Sequence, residues 1–403
     1  MTSADAHSLR WGAAFPAVQS EGAALGSDWF AWERADEVPP SFEGNEFARH
    51  FAADFELLAS VGADLVRITL DWARIEPEEG KIDVAVLERY RNVLVAAKEA
   101  GLEPWVVLVD GPAPGWFSID ERGWRDRRAR QYFWPRHVER IADHVGDLVP
   151  AWVPILRPVS FARGSFITAA APPGTRSVQR FVETVQGCYL ASLGAWEVLR
   201  GSGAPVALGV ESAPVRVGED GGERPTRLYD ELQWAWTEGM RDGELSLPRM
   251  PIVRVDAMRD AFDAVAMTFD GGYQVGRDGR VARFTQDEEL LGSLHRLAES
   301  AGDRPLWIAG QTVSVGDPAA DIEPTERALQ DIDSALHDGI DLRAWFWEPA
   351  IDGYQGASGF DTPMGLFDRD RVPKPACEAI SRWQASHRVA MAEPVPDPED
   401  QDR

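Results

Sequence analysis

Lysine is almost missing. In 403 residues it occurs only as Lys81, Lys98 and Lys374, so nearly all positive charge is arginine, a bias that GC-rich coding explains as well as any function. Positive charge as a whole is short, with 66 Asp+Glu against 41 Lys+Arg and a net charge of −25. That balance argues against nucleic acid and anionic membrane as partners. Cysteine is scarce too: Cys188 and Cys377 are too few for a disulfide framework or a thiolate metal site, and isolated buried thiols in a reducing compartment are expected. No apolar run reaches about 18 residues, and the start, Met1–His7, has no basic region followed by an apolar stretch. A cytoplasmic protein without membrane spans is therefore expected. The seven histidines show no metal-ligand spacing, so no metal and no other cofactor is expected. His137 and His144 lie two turns apart on one helical face, which predicts an exposed helix.

What the chain does have is a rhythm of short apolar runs alternating with amphipathic stretches. Strands are predicted at Leu9–Ala14, Ala63–Leu70, Glu103–Val109, Ala151–Leu156, Val206–Glu211, Phe262–Thr268, Pro305–Ala309 and Asp341–Trp347. Helical periodicity predicts Phe47–Val61, Val84–Ala100, Ala129–Val145, Ser177–Gly201, Asp287–Ala301 and Thr325–Asp338, with a closing helix near Pro375–His387. Gly62, Gly101, Gly201, Gly302 and Gly339 fall where left-handed helix ends are wanted. Eight strand–helix units imply an α/β fold of the closed (β/α)8 TIM barrel type, in a single domain over residues 1–391. No Gly-x-Gly-x-x-Gly follows the first strand to support an open doubly wound sheet. Gly218–Pro225 and Gly271–Gly279 are expected as surface loops, and Ala392–Arg403, with three prolines and five acids, as a disordered acidic tail.

Long motifs then carry a resemblance. The run Trp11-Gly12-Ala13-Ala14-Phe15-Pro16-Ala17-Val18-Gln19-Ser20-Glu21-Gly22, the stretch from Asp54 to Leu58, and Gly62 through Ile75 with Pro77 resemble the first two strands of glycoside hydrolase family 1, the β-glucosidase-like barrels. Gly123-Trp124, Gly146-Asp147, Trp152, Pro158, Ala171–Gly174, Gly365–Asp368 and Lys374-Pro375 keep that family's spacing. The resemblance implies a β-glycosidase with an acid/base glutamate ending the fourth strand and a nucleophilic glutamate on the seventh.

Both positions depart from the pattern. Where the family ends its fourth strand Asn-Glu-Pro, this chain has Leu156-Arg157-Pro158; where the nucleophile is expected it has Gly310, followed by Gln311. The family's His-Trp after strand three becomes Asp110-Gly111, its Asn-Tyr after strand six becomes Ala266-Met267, and its Glu-Trp after strand eight becomes Gln355-Gly356. Gln19 and Arg67 are retained. An arginine has no proton to give at neutral pH, so a degenerate site is expected: a carbohydrate- or anion-binding pseudoenzyme. Two alternatives stand beside it, an active hydrolase or transglycosidase using other carboxylates, with Glu211, Glu348 and Asp110 as candidates, and a barrel serving assembly alone. Rim carboxylates also include Asp71, Asp270 and Asp352. Expected ligand contacts are Gln19, Arg67, Arg157, Gln311, Trp347, Asp352 and Gln355, with Trp116, Trp124 and Trp345 near the ligand face. Two buried guanidiniums without counter-charge are untenable, so Arg67 and Arg157 should pair with Glu211 or Glu348, or else bind an anion.

Overall fold

A computed structural model describes residues 9–120, 122–284, 289–312 and 322–392. All eight expected strands form within two residues of their expected bounds: β1 (Arg10–Phe15), β2 (Leu65–Thr69), β3 (Glu103–Val109), β4 (Trp152–Ile155), β5 (Ala207–Glu211), β6 (Ala264–Phe269), β7 (Leu306–Gln311) and β8 (Leu342–Trp347). They pair in parallel in the order β4-β3-β2-β1-β8-β7-β6-β5, and a parallel bridge between Trp152 and Val206 joins the two ends. A sheet whose edges meet is a (β/α)8 barrel.

The apolar runs read as they do because barrel strands are covered on both faces. The inner layer packs Leu65, Trp105, Val107, Val153, Leu156, Trp307 and Phe346 with a series of alanines. The rings of Trp105 and Trp307 lie 4.3 Å apart, and small residues opposite them let two indoles fit inside so narrow a barrel. The outer layer is the larger core, between strands and helices.

The helices that matter for the site are α1 (Asp28–Arg34), α2 (Phe47–Ser60), α3 (Val84–Glu99), α4 (Trp134–Val145), α5 (Pro158–Arg163), α6 (Val178–Leu199), α7 (Glu223–Asp242), α8 (Glu289–Ala301), α9 (Glu323–His337) and α10 (Pro375–Ala392). Helices α1, α5 and α7 were not expected from periodicity. α1 starts on Ser27, whose side chain accepts from Phe30 N–H, a cap of the usual kind. α5 starts with Pro158 in its first turn, where a missing N–H costs nothing.

Several expectations need correction. Gly272–Val275 is not a loop but a strand, paired antiparallel with Val281–Phe284 and parallel with Val215–Val217; Tyr273 and Val275 are buried, a period of two hidden between glycines. The loop expected to Pro225 ends at Glu223, where α7 begins. Gly62, Gly101, Gly302 and Gly339 have positive φ, whereas after α6 that role falls to Gly203 rather than Gly201. His137 is fully buried, stacked on Trp72 with ring centroids 4.5 Å apart, so α4 is not an exposed helix on that face. α10 continues through Ala392, and the rest of the expected tail lies outside the described residues. Cys188 and Cys377 are buried free thiols. Among the described residues no helix is long and apolar enough to cross a membrane.

Candidate functional site

The carboxyl ends of β3, β4, β7 and β8 bring together Asp110, Arg157, Gly310 and Glu348, with Arg67 rising from β2 between them. Arg67 is 1% exposed and its Nη2 lies 3.0 Å from Glu348 Oε2 and 3.7 Å from Asp110 Oδ2. Its Nη1 donates to the Ala309 carbonyl oxygen. Arg157, at the start of α5, donates from Nε to Asp110 Oδ1 at 2.6 Å and from Nη2 to Asp110 Oδ2 at 3.0 Å, a bidentate fork. The same Nη2 also donates to Glu348 Oε1. Burial alone would pull the Arg157 guanidinium down, but the carboxylates of Asp110, Glu348 and Asp270 overcome it and hold the group well above its usual value.

β7 explains why Glu348 fits there. Its register slips around Gly310 against both neighbours, and a β-carbon built on Gly310 would stand 2.1 Å from Glu348 Oε2 and 3.0 Å from Arg67 Nη1. Glu348 therefore fills the volume that a side chain at position 310 would take. The floor pairs two guanidiniums with the carboxylates of Asp110 and Glu348, and Asp270 adds a third negative charge acting on Arg157. Of the two partners expected for the arginines, Glu348 pairs with both; Glu211 does not. Glu211, at the end of β5, takes Arg163 at 3.2 Å, and Arg163 also bonds Ser160 Oγ at 3.0 Å and lies 4.3 Å over the Tyr273 ring. Arg163 escaped the sequence reading because α5 did.

Above this floor opens a cleft of about 390 Å³, lined by Gln19, Asp28, Trp29, Asp110, Arg157, Ser160, Phe161, Ala171, Pro172 and Tyr354 among others, within the roughly 300–1,000 Å³ usual for small-molecule sites. Trp29 and Tyr354 meet edge to face at 6.4 Å. Asp28, also unforeseen, is buried with its Oδ1 accepting from Ala113 N–H at 3.1 Å. Burial pushes its carboxyl up to about 6, against the lowering pull of the Ala113 N–H.

Of the expected ligand contacts, Gln19 and Arg157 reach the cleft, and so does Asp110, expected as a candidate catalytic carboxylate. The others are committed elsewhere. Gln311 Oε1 accepts from Trp345 Nε1 at 2.7 Å. Trp347 is fully buried with its Nε1 on the Met364 carbonyl oxygen at 3.0 Å. Asp352 caps Gly365 N–H and pairs with Lys374 at 2.8 Å, and Gln355 does not line the cleft. Trp124 and Trp345 are buried, and the Trp116 indole N–H bonds the Glu76 carbonyl oxygen at 2.9 Å. Asp71 caps the helical turn Trp72–Ile75. Among the described residues no cluster of His, Cys, Asp and Glu has the makings of a metal site.

This floor sits where strand ends of a barrel carry chemistry, and the sequence profile of Glycosyl hydrolase family 1 matches residues 6–215. The chain belongs to glycosyl hydrolase family 1. Among curated members it is 27% identical to Beta-glucosidase 9 of Arabidopsis thaliana over 44% of this chain and 36% of that one, and 20% identical to the 1,4-beta-D-glucan glucohydrolase of Thermotoga neapolitana over 88% and 95%. The match thus spans only 36% of the Arabidopsis protein, and 46% of Beta-glucosidase A of Acetivibrio thermocellus. The fold superposes on the beta-glycosidase from Pyrococcus horikoshii with a TM-score of 0.82 at 20% identity, covering 94% of both chains. It superposes equally on a beta-glucosidase from Thermotoga maritima in complex with deoxynojirimycin, TM-score 0.82 at 17% identity, over 94% of this chain and 98% of that one.

Proposed function

We propose that this family 1 barrel binds a carbohydrate in its cleft without performing the family's two-carboxylate hydrolysis. The observation that carries this reading is Arg157. It stands where the family resemblance puts the acid/base, and it is clamped to both carboxylates of the floor. Retaining hydrolysis needs two carboxyl groups about 5–5.5 Å apart with the anomeric carbon between them; here a guanidinium holds that place. The same pairing removes the case for an anion on the floor, since Asp110 and Glu348 already balance Arg67 and Arg157. What is left exposed in the cleft is the sort of wall that holds a sugar, the half-buried rings of Trp29 and Phe161 with the amide of Gln19. The buried free thiols Cys188 and Cys377 support a reducing, cytoplasmic setting.

A second reading has one observation in its favour. Glu348 occupies the side-chain volume of position 310 beside Arg67, so it is placed to act as a displaced nucleophile for substrates whose leaving group needs no proton. A 2,4-dinitrophenyl β-glucoside and a 2-deoxy-2-fluoro glucosyl fluoride separate the two. We expect no burst of dinitrophenol and no added mass on the intact protein, while calorimetry detects binding of cellobiose or glucose. A glycosyl adduct mapped to Glu348 would sink the non-hydrolytic reading in favour of the second.

A further inference from the structure

Beside the main cleft lies a smaller chamber of about 40 Å³. It shares Asp28, Phe161 and Pro172 with the cleft, so the two spaces adjoin. Three buried donors line it without being used. Trp124, Ser165 and Thr184 are 3%, 0% and 2% exposed, and Trp124 Nε1, Ser165 Oγ and Thr184 Oγ1 have no hydrogen-bond partner among the described residues. An indole N–H only donates, and both hydroxyls can donate. Buried donors of this kind are ordinarily satisfied.

The chamber's charge points the same way. Arg122 and Arg125 line it, at the head of a stretch, residues 122–136, with six arginines against one acid, Asp126, in a chain of net charge −25. Arg125 is held below its usual value by burial and by Arg180 and Arg122, with Glu183 opposing, so positive charge here is in excess, unlike on the floor, where carboxylates pair with both arginines. The one carboxylate in the wall is Asp28. It is faced by the N–H groups of Ala113 and Trp29, by Ser118 and by the charge of Asp71, and it shares the chamber's lining with Arg122 and Arg125. With its carboxyl pushed up to about 6, it is protonated in mild acid and adds a donor rather than a repelling charge. The volume holds about three water-sized positions, the size of one carboxylate group.

We propose that the chamber receives a carboxylate borne by the sugar that occupies the main cleft, which makes the preferred ligand an acidic saccharide. This rests on the reading of the cleft as a carbohydrate site, and the comparison of cellobiose with its aldonic acid, cellobionate, tests the two separately. In calorimetry at pH 5.5 and low salt, cellobionate binds about tenfold tighter than cellobiose. Arg122→Gln and Arg125→Gln, each checked for an unchanged melting temperature, reduce that advantage and leave cellobiose affinity alone. Equal affinity for the two sugars, or an advantage untouched in both variants, overturns the chamber and leaves the carbohydrate reading of the cleft standing. If neither sugar binds, the cleft reading fails and acetate decides the chamber: a rise in melting temperature that disappears in the arginine variants keeps it, and no rise removes it.

Discussion

Gly310 shows how one residue fixes the site. Its backbone dihedrals are not what demands glycine, for it is not among the positive-φ residues; the demand is volume, since a β-carbon there would collide with Glu348 Oε2 at 2.1 Å. Gly310→Ala must push the Glu348 carboxylate off Arg67, a side chain only 1% exposed. Stripping a counter-charge from a buried guanidinium costs about 3–5 kcal/mol, and urea unfolding should register a loss of that order. Because the alanine acts through Glu348, the double variant Gly310→Ala/Glu348→Ala should lose clearly less than the sum of the two single variants; strictly additive losses would show that the two positions do not share one space. The sequence allowed half of this to be foreseen. Two arginines near a strand mouth require counter-charge, which pointed to Glu348, but the fork from Arg157 to Asp110 depends on the angle at which β3 and β4 end, and no residue spacing encodes that angle.

Elements were legible in proportion to how regularly they bury one face. All eight barrel strands showed as short apolar runs because both of their faces are covered, whereas α5 is six residues long and Gly272–Val275 four, too short for a period to declare itself. Losing α5 also hid Arg163, and with it the true partner of Glu211. α4 misled for a different reason: His137 is polar by type yet sits fully inside, on Trp72, with neither ring nitrogen hydrogen-bonded among the described residues. Burial, helped by Arg140, holds its pKa well below the usual 6.5, so the folded protein keeps it neutral. The unfolded chain protonates it below about pH 6.5. Over that interval the unfolded state binds the extra proton, and stability falls as pH falls, by about 1.4 kcal/mol per unit. His137→Phe removes this pull while keeping an aromatic ring on Trp72. Between pH 7.5 and pH 5 the variant should therefore gain about 2 kcal/mol on the wild type in paired urea titrations; a difference that stays flat with pH would mean His137 is charged in the folded helix.

For the whole molecule, charge is layered rather than uniform: buried ion pairs on the floor, arginine in excess beside the chamber, and an acidic remainder that brings the total to −25. The layers respond differently to salt. The floor pairs involve side chains from 1% to 19% exposed and are screened little. Exposed pairs such as Arg49 with Glu43 and Lys81 with Glu78 are screened fully, but each is worth only about 0–1 kcal/mol to begin with. The repulsion among the excess carboxylates acts across the whole surface, and shrinking the Debye length from about 30 Å at 0.01 M salt to about 8 Å at 0.15 M removes most of it. Relief of self-repulsion outweighs the lost surface pairs. The melting temperature at pH 7 should accordingly rise with sodium chloride over this range. Near pH 4.7, where the sequence carries no net charge, the same addition should leave it level or lower it, because only the attractive pairs remain to be screened. A melting temperature that falls with salt at pH 7 would mean that the surface ion pairs, not the net charge, dominate the electrostatics of this barrel.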